Sequence, residues 1–129
     1  METHKVVIKT SKAPTPVAPY SQGVVLGNVL YCSGQIGLVP ETGKLVSESV
    51  EDQARQVLKN LSAVLQEAGC SLKDVVKVTV FLTDMKDFAI VNEVYASFFT
   101  APFPARTAVQ VSALPVGGQV EMEAIAHYH

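Results

Sequence analysis

The sequence predicts an α+β fold: a six-stranded, mostly antiparallel sheet with two helices on one of its faces. Three observations lead there. Six short runs of apolar or alternating residues are separated by Gly- and Pro-containing turns. Two further stretches repeat apolar residues at helical spacing. Two helices cannot cover both faces of six strands, so both are expected on one face, leaving the other for a partner or for water. The whole chain, residues 1–129, is expected to be one domain.

A chain of 129 residues can bury roughly two-thirds of its unfolded surface. Its hydrophobic content is 48% and its charged content 17%, against roughly 25% charged in typical domains. A small domain so short of charge is expected to hide surface against copies of itself. The net charge of −2 supplies no field that would draw the chain to nucleic acid, so a nucleic-acid partner is not expected. Cys32 and Cys70 make no CxxC pair, which fits free thiols in a reducing compartment. The stretch from Met1 to Lys5 lacks the apolar core of a signal peptide. No run approaches the ~20 apolar residues of a membrane span. A cytoplasmic protein with no membrane partner is expected.

In chain order, Val6-Val7-Ile8 reads as a short strand. Thr10 to Tyr20 holds Pro14, Pro16 and Pro19 and reads as a stiff extended loop. It delivers Tyr20, either a site residue held at fixed geometry or a packed tyrosine with one satisfied hydroxyl. Val24–Leu26 and Val29–Cys32 flank Gly27-Asn28, a hairpin signal. The second of these strands runs into Ser33-Gly34-Gln35. Gly34 marks either a backbone N–H open to a ligand or a bulge. Pro40–Gly43 reads as a turn. Ser49 is expected to cap a helix, with Asp52 three residues on. Val50, Ala54, Val57, Leu58, Leu61, Val64, Leu65 and Ala68 then form its apolar stripe, and Gly69 stops it. Glu51, Arg55, Lys59 and Glu67 form its wet side. Val75–Leu82 alternates, with Val76, Val78, Val80 and Leu82 expected on one face of a central strand. Asp84 or Asp87 is expected to cap a second helix, whose stripe of Phe88, Val91, Tyr95 and Phe98 reads as core before a ligand box. Asn92 on that helix is either exposed or a ligand contact.

Pro102 to Glu123 organises the reading. It predicts two strands joined by a Pro/Gly turn at Pro115-Val116-Gly117-Gly118. Alternation puts Arg106, Ala108 and Gln110 on one side of the first strand. In the second, Glu121 and Glu123 share a side opposite Val120 and Met122. These charges on apolar strands are either a solvated outer face or an anion-binding arginine with a carboxylate that handles a proton or a water. Periodicity does not choose between Glu121 and Glu123.

Several chemistries find no support. The chain has no HExxH, EF-hand, Walker A or GxGxxG pattern and no spacing that suggests a Ser/His/Asp triad. His127 and His129 alternate on one strand, but no functional metal site and no cofactor is expected. Cys32 has no cation or histidine beside it in sequence to lower its pKa and reads as an inert buried thiol.

Ala18-Pro19-Tyr20-Ser21-Gln22-Gly23, Ser33-Gly34-Gln35, Phe103-Pro104-Ala105-Arg106 and Val120-Glu121-Met122-Glu123-Ala124 together resemble the RidA/YjgF family of imine/enamine deaminases, also known as L-PSP endoribonucleases. The resemblance runs from about Lys5 to Ala126. It implies a chorismate-mutase-like fold and a homotrimer with active sites in the clefts between subunits. It implies cofactor-free hydrolysis of small 2-imino or 2-enamino acids, such as 2-aminoacrylate, 2-iminopropanoate and 2-iminobutanoate, to 2-oxo acids and ammonia. Carried over residue by residue, Arg106 is the carboxylate clamp, Glu121 the residue that holds water, and Tyr20 and Ser33 support them as catalytic residues. The expected substrate contacts are Arg106, Gly34, Ala108, Asn92 and Phe88. Many bacterial members carry Cys where this chain has Ala108, so a thiol role there is excluded and a backbone N–H role survives. The alternative is action on RNA, or binding of 2-oxo acids or partner proteins without turnover.

Overall fold

The structure is a computed structural model that describes residues 4–129; the reading of the first three residues lies outside the described residues. Strands β1 (Val6–Ile8), β2 (Gly23–Leu26), β3 (Val29–Ile36), β4 (Val75–Leu82), β5 (Ala105–Gln110) and β6 (Val120–His127) form one sheet. Its order is β1-β2-β3-β6-β4-β5. Only β5 runs parallel to its neighbour, β4. The helices α1 (Val50–Glu67) and α2 (Phe88–Phe98) lie side by side, with α1 across β3 and β6. The order and type of these elements are those the sequence predicts.

Local signals explain the boundaries. Ser49 Oγ accepts from the Asp52 N–H and caps α1, while Gly69 takes φ +78° and ends it. Gly27, at φ +63°, makes the β2–β3 turn. Asp84 caps a short 3₁₀ turn over Met85–Asp87, and Asp87 precedes α2 without a side-chain cap bond. The core sits between sheet and helices: Leu58, Leu61, Leu65, Leu82 and Met122 are fully buried there.

Two features depart from the sequence reading. The strands of the Pro102–Glu123 stretch are not partners. β4 lies between them, because β4, α2 and β5 form a crossover unit that returns β5 parallel at the sheet edge. Val76 does not join the core: the β4–β6 register shifts between Val75 and Lys77, which moves Val76 outward and puts Val75 inside with Val78, Val80 and Leu82.

Buried amides brace the loops. Gln22 Oε1 accepts from the Thr10 N–H at 2.7 Å, and its Nε2 donates to the carbonyls of Thr10 and Pro14 at 3.1 and 2.8 Å. This one side chain pins both ends of the proline loop that carries Tyr20. Gln53 on α1 donates to the Ser47 carbonyl at 2.9 Å and accepts from the Gln119 N–H at 2.9 Å, which seats the start of β6. Asn60 donates to the carbonyls of Ile36 and Leu38, at the end of β3. Gln22→Leu keeps the volume but strands the buried Thr10 N–H and its carbonyl. The expected loss of stability is about 1–3 kcal/mol, measured by urea denaturation at fixed protein concentration; a midpoint equal to that of the wild type would show that the loop is held otherwise.

Candidate active site

Arg106 is on the edge strand β5, in register with Val78, and therefore on the helix face of the sheet. Its Nη1 donates to Asn92 Oδ1 at 2.7 Å. Its guanidinium carbon lies 4.9 Å from the Tyr95 ring centre and 5.6 Å from that of Phe88. Phe88, Asn92 and Tyr95 are successive positions on one side of α2, so one helix face supplies two aromatic walls and a hydrogen-bond acceptor. The arginine is oriented yet exposed, which leaves guanidinium N–H groups for an anion. Ala108, two residues on, shares this face and packs against the core beside Val80.

Glu121 belongs to the other face. It is in register with Phe81 and Ile36, while its neighbours Val120 and Met122 are fully buried under the helices. Beside it β3 bulges: Cys32 pairs with Ala124 but Gln35 with Met122, so Ser33 and Gly34 together oppose Glu123. Of the two sequence readings of Gly34, the bulge is the one the strand pairing shows. It is a bulge residue, and a Cβ on it would collide with Glu121 Oε2, so the carboxylate lies directly against the glycine backbone. Ser33 Oγ donates to the Ser21 carbonyl at 2.6 Å, tying the bulge to the loop that carries the half-exposed Tyr20. Burial first, and then the Glu123 carboxylate, push the Glu121 carboxyl above its usual range. Glu123 is exposed.

The residues singled out in the sequence thus fall into two groups. Arg106, Asn92, Phe88 and Ala108 gather on the helix face at the sheet edge. Glu121, Gly34 and Ser33, with Tyr20 tied to them, gather on the open face. Within one chain the sheet separates Arg106 from Glu121. Tyr95 was legible in the sequence only as a core residue; the spacing from Phe88 through Asn92 to Tyr95 is the signal that finds it as an arginine support. Cys32 is buried, and burial together with Cys70 pushes its thiol up to about 12, which agrees with an inert side chain. A cleft of about 600 Å³ lies at the C-terminal end of α2, lined by Ser71, Lys73, Phe98, Phe99 and Pro102, and contains neither Arg106 nor Glu121. Among the described residues one group of three metal-type donors comes together, Asp74, His127 and His129, and it belongs to neither group above. No helix among the described residues is long and apolar enough to cross a membrane.

Comparison with known proteins adds four findings. Residues 10–128 match the family described as Endoribonuclease L-PSP. The chain is 51% identical over 120 residues to human 2-iminobutanoate/2-iminopropanoate deaminase, covering 93% of this chain and 88% of the relative. It is 52% identical over 122 residues to Reactive Intermediate Deaminase A, chloroplastic, of Arabidopsis thaliana, covering 95% of this chain but only 65% of that longer relative. Among solved structures, E. coli TdcF with bound serine superposes with a TM-score of 0.92 at 46% identity, over 96% of this chain and 99% of that one.

The raised Glu121 carboxyl links folding to pH. The folded state holds that proton more tightly than the unfolded chain, whose carboxyl titrates near 4.5. The stabilisation by the protonated form is complete below the unfolded value and is lost as pH rises through the folded one. Glu121→Gln, which does not titrate, should therefore melt above the wild type at pH 7, with the gap closing toward pH 4. Thermal melts across that range test it; a variant less stable by the same margin at every pH would contradict the desolvated carboxylate.

Proposed function

The chain belongs to the endoribonuclease L-PSP family, the RidA/YjgF proteins, and from that premise we propose that it hydrolyses small 2-imino acids and their 2-enamino tautomers to 2-oxo acids and ammonia. The observation that carries the reading is Arg106: a guanidinium oriented by Asn92, Tyr95 and Phe88 yet left open to an anion. The names of the relatives, and the serine bound to E. coli TdcF, support a ligand with an α-carboxylate.

In this reading two guanidinium N–H groups grip the carboxylate of the substrate in parallel, which fixes the position and rotation of the adjacent imine carbon. The enamine form first takes a proton on carbon and becomes the imine. Glu121 orients a water and removes its proton as the oxygen attacks the protonated C=N carbon. The tetrahedral amino alcohol then collapses: Glu121 gives its proton to the amino nitrogen and takes the hydroxyl proton as the C–N bond breaks, so that ammonia leaves and C=O forms. A carboxyl raised toward neutrality suits both halves of this exchange. Ser33 and Tyr20 shape the water side, and the Gly34 backbone gives the carboxylate room. No step calls for a cofactor. The exposure of Glu123 supports leaving the water to Glu121.

Arg106 and Glu121 occupy opposite faces of one sheet, so a shared substrate requires them to come from two copies. We therefore infer a homotrimer with its sites between subunits. The open sheet face supports this: Val7, Leu26, Tyr31 and Val109 stand exposed there, Val7 at 60% and Tyr31 at 47%. The two free, buried cysteines support a reducing, cytoplasmic setting.

A coupled assay tests the activity: a pyridoxal-phosphate-dependent serine or threonine dehydratase generates the imine, and oxo-acid release is followed with and without the chain. Acceleration is expected. Arg106→Ala should lose about 2–5 kcal/mol of transition-state binding, the scale of a desolvated charge pair. Arg106→Lys should fail nearly as badly, because an ammonium lacks the planar fork. Saturable binding of a 2-oxo acid without acceleration would reduce the protein to a binding module.

Subunit mixing tests the shared site. Arg106→Ala and Glu121→Gln, each expected to lose on the order of 10²-fold or more in rate, are unfolded together, refolded as mixed trimers and assayed. If each site draws on two copies, about a quarter of the sites regain both side chains in a cyclic trimer. Activity that stays at the level of the separate variants would place both residues in one chain's site.

A further inference from the structure

We propose that Asp74, His127 and His129 form a site for a divalent transition-metal ion of the zinc class, separate from the deaminase site. Asp74 ends the 3₁₀ turn Leu72–Asp74 after α1, and the two histidines come from the end of β6 and the residues after it. One ligand atom from each lies within 4.8 Å of the others. His129 Nε2 is 2.8 Å from Asp74 Oδ1, and the His127 and His129 rings are 4.8 Å apart, edge to face. Two imidazoles and a carboxylate are a donor set that zinc takes, with metal–ligand distances of about 2.0–2.2 Å. Donors on a tetrahedral ion at that range stand about 3.4 Å apart, so an ion would open the 2.8 Å His129–Asp74 hydrogen bond slightly, with His129 Nε2 giving up its proton, and draw in any donor at the 4.8 Å limit.

The donors are held in place. Asp74 Oδ2 accepts from the Ser71 N–H at 2.8 Å in a reciprocal capping box, which aims Oδ1 outward at the histidines. Between the histidines, the Tyr128 N–H donates to the Asn28 carbonyl at 2.8 Å and its side chain packs on the core, so alternation sends both imidazoles to the opposite side. The Cys70 thiol is next to the cluster but is buried and donates to the His127 carbonyl, so it is not counted as a ligand. From Glu121 to His127 the strand advances about 20 Å at roughly 3.4 Å per residue, which keeps the ion away from the proposed chemistry. An ion here would clip the segment after α1 to the end of β6. Because a ligand that binds the folded state alone stabilises it, the clip would raise the melting temperature.

The test uses the full chain, stripped with chelator and dialysed. Zinc is titrated calorimetrically and thermal melts are run over the same zinc range. The expected result is one ion per chain and a melting temperature that climbs with free zinc. Asp74→Asn preserves an acceptor for the Ser71 N–H but turns an amide NH₂ toward the histidines. It and His129→Gln should each weaken zinc binding by at least the 10–100-fold or so that loss of even an outer-shell partner costs. Melts of both variants in chelator establish that they fold. Imine hydrolysis should be the same with zinc and with chelator. Absence of saturable binding, or affinity unmoved by both substitutions, would overturn the site; loss of deamination on chelation would overturn its separateness.

Discussion

Side chains on a strand alternate between two faces, and the register of β4 decides which face each of its neighbours serves. Val78, Val80 and Leu82 face the helices and are fully buried. Through hydrogen-bonded pairing they carry Arg106, Ala108 and Gln110 to that side. Lys77, Thr79 and Phe81 face the other way and carry Glu121 and Glu123 with them. A one-residue slip of β4 would expose its valines, so the hydrophobic core enforces the register. The separation of arginine and glutamate is therefore a consequence of core packing, and the proposed sharing of a substrate by two copies rests on it.

The fold was legible because its signals are local. The stripe of α1, its Ser49 cap and Gly69 stop, and the Gly27-Asn28 turn are each set within a few residues of chain. The position of β4 between β5 and β6 was not legible: order in a sheet depends on which edges remain free after the β4–α2–β5 crossover forms. Val76 was misassigned for a related reason, since a bulge adds one residue to an alternation that otherwise continues unchanged. The buried Gln22, Gln53 and Asn60 gave no sign in the pattern, because a polar residue in an apolar stretch reads as exposed until the carbonyls it serves are known. The three bind segments apart in sequence: Gln119 lies 66 residues from Gln53, and Ile36 lies 24 from Asn60.

The site was legible in part. Pattern alone left Arg106 undecided between surface and site, and resemblance to a family moved it to the site. Its environment agrees with that assignment: one hydrogen-bond acceptor and two aromatic rings orient the guanidinium. Glu121 and Glu123 were inseparable by periodicity, since both face the same way. Burial separates them. Gly34 in the β3 bulge removes a Cβ from where the Glu121 carboxylate lies, whereas Glu123, on the same face, remains exposed.

The placement of the two charged residues suits the roles proposed for them. A guanidinium keeps its charge almost wherever it is put, so the arginine can stand on the exposed edge strand β5, where a substrate can reach it. A carboxylate must be shifted to exchange protons near neutrality, and that needs desolvation. Glu121 obtains it on the inner strand β6, between β3 and β4, with a like charge two residues on. The desolvation that makes it a better base also makes it a worse contributor to stability. The buried amide of Gln53 seats the start of that strand through the Gln119 N–H. In the proposed reaction, the inner position of β6 and the exposure of β5 suit a base on one copy and an open clamp on the next.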